Sequence, residues 1–454
     1  IKGNPNLKFG GYLEIQYASE GPRLNGAADA GGRFIFDRDR NNPFDTNHPF
    51  SNAAFGTYRE YRQSSNKSNG RGVMWLAEWF VQDSWKVNRR LSLDYGIRLS
   101  RFTDFRLRTD EGAALSLPDW NPGRIPAYYV PAINPANRRR VAQNPITGAF
   151  APSPLIGTFV PNAGDRLNGM VVGGFDRLNG GYRSNAPLQW SPRFGFALDL
   201  LGTGKTVVRG GLGVYKQGIF ASGQSVINSN VVTASPVVES PSIFFNTIAG
   251  ILNAPNVFAP SANVSTFQEA WQKVPTVYKW SFGIQQQLPW NTLMDVAYVG
   301  NSGRHLRQNA NINTLPPGTR FLPSSVDRTT NRPLPDNFLR PYYGYANITQ
   351  QGLDVGWSNY NSLQVSLNRR YASRLQYGVA YTWSKAMGLT DDDANALPIY
   401  RDYRSYLYGK TGFDQTHVLV LNYLYSLPNA NLFGNNAASR LLLHGWNLSG
   451  ITTF

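Results

Sequence analysis

The sequence predicts an all-β chain that forms part of an antiparallel transmembrane β-barrel with long extracellular loops and short periplasmic turns. Three observations carry this. Apolar and polar residues alternate with a period of two in several segments. These segments are about the length a tilted strand needs to cross a bilayer. Very short connections alternate with very long ones, which is the layout of an outer-membrane barrel. The clearest hairpin is 75–87 followed by 91–103. In its second arm Leu91, Leu93, Tyr95, Ile97 and Leu99 alternate with Ser92, Asp94, Gly96, Arg98 and Ser100.

The elements follow in order. Residues 7–18 read as a strand with Leu7, Phe9, Leu13, Ile15 and Tyr17 on one face and Lys8, Glu14 and Gln16 on the other. Residues 31–36 and 55–64 read as two more strands, with a Pro- and Asn-rich turn or short helix over 42–55. In 75–87, Trp75, Ala77, Trp79, Val81 and Trp85 point outward and Glu78, Gln82 and Lys86 inward. Asn88, Arg89 and Arg90 turn the chain into 91–103. Hairpins then follow at 188–199 with 206–216, 278–288 with 292–300, and 360–370 with 375–385. Strands over 414–427 and 442–454 complete the chain. The long loops are 104–186, 220–276, 302–358 and 387–413, and a loop of that length inside a soluble domain would argue against the assignment. The count is roughly thirteen strands.

Energetics orient the faces. An Arg facing lipid at mid-bilayer costs about 2–4 kcal/mol, so Arg98 and Arg209 are expected to face the lumen. Glu14, Glu78, Gln82, Asp94, Gln285 and Gln364 are expected there with them. Trp75, Trp85, Trp280, Tyr298, Tyr381, Trp383 and Trp446 are expected to form the aromatic girdles at the two membrane interfaces.

Composition narrows the function classes. Aromatic residues make up 13 % of the chain and charged residues only 16 %. There is no Cys, so disulfides, thiolate nucleophiles and Cys-type metal sites are excluded. The four His (His48, His305, His417, His444) lack metal-ligand spacing. The net charge of +16 raises the question of nucleic acid, but the cations are dispersed. The one tight run, Arg138, Arg139 and Arg140, falls in a long loop; it suits a solvated loop better than an anion site. No nucleic-acid partner, metal or cofactor is expected.

Other motifs fail as chemistry. Gly202, Thr203, Gly204, Lys205 and Thr206 end like a phosphate-binding loop, but Asp199 stands where the first Gly belongs and a strand follows instead of a helix. They read as a hairpin turn. Gly210, Gly211 and Gly213 fall inside a strand, and Ser302 lacks the spacing of a nucleophile elbow. Asp391, Asp392 and Asp393 lack the spaced ligands of a calcium loop. Glu78 and Asp94 are explained by lumen polarity without acid–base work. The chain is not expected to be an enzyme. No apolar run is long enough for a transmembrane helix.

With these residues in place, the chain resembles the TonB-dependent outer-membrane receptors, and among them the Oar-like barrel group. The hairpin WFVQDSWKV (79–87) and RLSLDYGIR (90–98) carries the likeness most clearly. NPF (42–44), SPRFGFA (191–197) with GKTVVRGG (204–211), WSFGIQ (280–285) with VAYVG (296–300), and NYNSLQ (359–364) with YTWSKA (381–386) follow in the family's order. Phe413, Asp414 and His417, then GWNLSGI (445–451), complete the series. The resemblance implies a barrel of about 22 strands in the intact receptor. It also implies a lumen-filling plug that meets the TonB complex, and a location in the outer membrane against lipid and lipopolysaccharide. Its cargo would be a small molecule, glycan or peptide captured by the extracellular loops. A structural, adhesive or protein-export barrel is the alternative. The plug, TonB box and signal peptide are expected to lie outside this sequence, as are further strands after Phe454.

Overall fold

The computed structural model describes residues 5–19, 33–38, 44–64, 71–104, 106–107, 113–172, 184–217, 233–234, 262–267, 273–391, 396–397, 399–428 and 444–454. Eleven long strands form its centre: β1 (Leu7–Ser19), β2 (Arg71–Lys86), β3 (Leu91–Phe102), β4 (Gln189–Asp199), β5 (Thr206–Lys216), β6 (Thr276–Leu288), β7 (Thr292–Asn311), β8 (Tyr345–Ala372), β9 (Leu375–Gly388), β10 (His417–Ser426) and β11 (Asn447–Thr453). Each pairs antiparallel with the next in chain order. Among the described residues β1 and β11 are paired on one side only.

The wall is staggered. One cross-strand row runs Leu91, Leu198, Val208, Ile284, Val296, Val365, Tyr381, Leu419. It starts at the first residue of β3 and ends well inside β8, β9 and β10. A steady slip of this kind is the shear that tilted barrel strands require. Rings cover several glycines opposite them. A Cβ at Gly10 would lie 2.7 Å from the Phe80 ring and one at Gly210 2.7 Å from the Phe196 ring, while Trp280 lies over Gly300. Such pairs pack a ring against bare backbone and help fix register.

Two expected strands fall outside this wall. Arg33–Ile35 and Glu60–Ser64 pair with each other in a small sheet that also takes Thr233–Ala234. At three and five residues they are too short to cross a bilayer. Among the described residues this leaves eleven long wall strands where the sequence suggests roughly thirteen. Where a turn or short helix is expected over 42–55 stands α1 (Pro49–Phe55), with Pro at its start and Gly56 at φ 74 closing it. Positions 31–32, 42–43, 392–393 and most of 220–261 lie outside the described residues.

The larger correction concerns the loops. β7 continues past Gly300 to Asn311 and β8 begins at Tyr345, not near 360. Within the expected loop 104–186, the described residues carry structure of their own. Val130–Ile133, Arg140–Gln143 and Phe150–Ala151 form a three-stranded sheet. Tyr129, Ala142, Leu155, Ile156 and Val160 pack beside it as a core, with Phe338 against them from a different loop. A second core joins Leu115 and Val264 from two connections to Tyr345 and Ile348 at the start of β8.

Polar ties fix this module. Asn313 is 0 % exposed; its amide donates to the carbonyls of Tyr342, Tyr345 and Ala346, and its Oδ1 accepts from Tyr342 N. The Tyr345 hydroxyl donates to Asn168 O at 2.7 Å, and burial pushes its pKa upward. Arg140, from the basic run, reaches Asp327 at 2.9 Å and also donates to Thr329. Asp327 is 3 % exposed. Burial pushes its carboxyl up, but the bonds from Thr329 and Arg140 outweigh that and hold it below its ordinary value.

A carboxylate with a depressed folded pKa contributes stability that is complete above its unfolded pKa, about 4, and lost as pH falls through the folded value. Protection from hydrogen exchange across 127–163, taken relative to the intrinsic rate at each pH, is therefore expected to be high at pH 7 and to fall once the pH drops below about 4. Asp327→Asn is expected to loosen the same segment at pH 7 by about 2 kcal/mol. Unchanged exchange in the variant would remove the pair as the tie.

Candidate functional site

Strand periodicity gives the wall two chemically different faces. On one, cross-strand rows read Ser84, Asp94, Gly195, Gly211, Ser281, Val299, Ser362, Ser384, and next to it Gln82, Gly96, Arg193, Gly213, Lys279, Asn301, Tyr360. On the other, Phe282, Tyr298, Leu363, Trp383 and His417 form one row. Small and glycine residues hollow the polar face into two adjoining concavities, of 660 Å³ and 710 Å³.

The eight expected lumen residues all share the parity of the polar face. Gln82, Asp94 and Arg98 line the first hollow. Asp94, Arg209 and Gln364 line the second. Glu14, Glu78 and Gln285 line neither. Glu14 accepts hydrogen bonds from Tyr12 and Gln16. Glu78 pairs with Arg98 at 2.8 Å and accepts from Ser100 at 2.7 Å. It stands rows away from Asp94, because Glu78 opposes Ser100 whereas Asp94 opposes Ser84.

Arg209 pairs with Asp295 two strands away. Arg209's own row continues through Gly283 to Ala297, and Asp295 stands in the next polar-face row toward the short turn, opposite Gln285. Without a side chain at 283 the guanidinium crosses β6 unobstructed. Of the seven expected girdle aromatics, Trp75, Trp280 and Trp383 stand on the apolar face toward the long-connection ends of their strands, and Tyr298 stands on the same face nearer the short-turn end of β7. Trp85 stands toward the short-turn end, and Trp446 immediately precedes β11. Tyr381 sits deeper in its strand, its hydroxyl 2.9 Å from His417 Nδ1.

Sequence reading missed Asp295, Arg193, Tyr215 and Lys279. The signal for Arg193 was available: it alternates with Ser191, Gly195 and Ala197. Tyr215 gave none, because an aromatic on the polar face runs against the pattern. The glycine turn 202–205 is confirmed as a turn by its geometry: Asp199 accepts from Gly202 N and Gly204 N, with both glycines at positive φ.

A staggered antiparallel wall with one polar, hollowed face and one apolar face rich in aromatics defines a transmembrane β-barrel. No helix among the described residues is long and apolar enough to cross a membrane. A profile of the outer membrane beta-barrel domain family matches residues 1–454, and the chain belongs to that family. It is an outer-membrane protein. Solved structures similar to it include the ferric-catecholate import receptor Fiu of Escherichia coli K12, at 12 % identity and a TM-score of 0.35, covering 94 % of this chain and 39 % of that one. The siderophore receptor PiuA of Acinetobacter baumannii is 9 % identical, with a TM-score of 0.41, covering 94 % and 42 %. This chain thus spans about 40 % of their length. No curated protein matches it.

In a double-mutant cycle, Arg209→Gln and Asp295→Asn are expected to couple by about 0.5–1 kcal/mol, the pair being half exposed. Gly283→Leu is expected to abolish that coupling. Unfolding in detergent measures both; additive single variants would show that the pair contributes nothing.

Proposed function

We propose that this chain is the barrel portion of a TonB-dependent outer-membrane receptor or transporter of the Oar-like kind. The polar face lines the lumen, with Glu14, Glu78, Gln82, Asp94, Arg98, Arg209, Gln285 and Gln364 along the passage. The apolar face meets lipid and lipopolysaccharide, and the seven Trp and Tyr residues belong to its girdles. The loop module captures a small molecule, glycan or peptide outside the cell. A plug linked to the TonB complex releases it into the lumen. The protein binds and gates; it carries out no covalent chemistry.

The observation that carries this reading is the joint presence of a charged, hollowed face and a loop module packed well enough to hold a shape before ligand arrives. Preorganised binding surfaces lose less entropy on association. An outer-membrane fraction of the full-length protein should contain a band whose migration changes on boiling. A soluble protein with ordinary migration would overturn the barrel reading. Ligand-dependent growth or uptake that persists in a strain lacking TonB would overturn the transport reading alone.

Face assignment makes a sharper prediction. Val365→Arg is expected to destabilise the barrel in bilayers by about 3 kcal/mol, whereas its neighbour Gln364→Arg costs much less. Urea-induced unfolding in lipid vesicles reads the difference, and equal costs would mean that the faces are reversed or both wet.

A further inference from the structure

Arg193, Gly213 and Lys279 occupy one row across β4, β5 and β6. Gly213 has no side chain, so two cations face each other over a gap. Tyr215 folds back over that gap, its ring 3.0 Å from where a Cβ of Gly213 would sit. Arg193 Cζ lies 4.6 Å from the centre of the ring and Lys279 Nζ lies 5.2 Å from it. Two positive charges therefore converge on one ring. Among the described residues neither has a carboxylate within ion-pair distance. Their wall neighbours Arg98 and Arg209 each have one.

A cation over an exposed ring gains only a modest attraction. The ring orients both cations but does not neutralise them, and like charges held together favour a counter-ion between them. The same 660 Å³ hollow supplies room and further donors: Asn301 opposes Lys279, and Ser281 lies one row away. Asp94 also borders the hollow, in the row nearer the short turns, while both cations lean toward Tyr215 on the other side. An anion is thus attracted to the Tyr215 side and repelled from the Asp94 side.

We infer that Arg193, Lys279 and Tyr215 form an oxyanion site for a carboxylate or phosphoryl group of a small molecule. The planar guanidinium suits two oxygens of one group, and the lysine supplies a point charge. The inference rests on the lumen reading above and narrows the cargo to anionic compounds.

Citrate and pyrophosphate, titrated calorimetrically at low salt into the full-length protein in detergent, test this. At least one is expected to bind. Arg193→Gln and Lys279→Gln are each expected to weaken binding tenfold or more, Arg193→Lys much less, and Lys205→Gln in the distant turn not at all. Citrate alone would indicate a carboxylate site and pyrophosphate alone a phosphoryl site. No binding of either probe, or equal weakening by Lys205→Gln, would overturn the assignment. Each variant is checked for its heat-modifiable band; if Arg193→Gln lacks it, Lys279→Gln and Arg193→Lys decide. A wild-type chain without the band would instead count against the barrel, so the two failures are told apart.

Discussion

Inside a bilayer no water reaches a backbone N–H or C=O, so each must find its partner in the chain itself. Most features of this structure follow from meeting that demand with strands. Sequential antiparallel pairing satisfies every interior strand from its chain neighbours. The pairing fixes the register, and the register assigns each side chain to one face. The glycine row under Arg193 and Lys279, and the crossing of β6 by Arg209 over Gly283, exist because residues in one row are forced to be neighbours.

The same demand explains where the hydrophobic core is found. A barrel wall has lipid on one side and a polar interior on the other, so it has no third layer against which to bury apolar side chains. Leu7, Phe9, Leu13 and Ile15 are accordingly more than half exposed. Tight apolar packing occurs instead where the chain leaves the membrane and loops can close on one another. Tyr128, Leu155, Leu115 and Ile348, each at most 1 % exposed, all belong to that region.

Legibility in the sequence divides along the same line. Period two is enforced by the pleat, so hairpins such as β2 with β3 and β4 with β5 were readable from alternation alone. The turn at 202–205 was readable because Asp199 and two glycines state their geometry locally. Arg33–Ile35 and Glu60–Ser64 misled because β-propensity is visible in a short run but partner choice is not. The module over 113–172 was invisible because its core is assembled from residues far apart, such as Val160 with Phe338. Tyr215 was missed because its position depends on an absent side chain in its own strand.

Surface loops of outer-membrane proteins face whatever attacks the cell, and they are usually free to drift one at a time. Here they are not. Arg140 in one connection is held by Asp327 in another, Tyr345 by Asn168, and Thr266 by Leu115. A substitution that disguises one loop strains a neighbour unless that neighbour changes too. The exposed tips, among them Ile146 and Phe321, stand apart from these ties. Diversity between strains should therefore concentrate at such tips, while tied positions change only in compensating pairs.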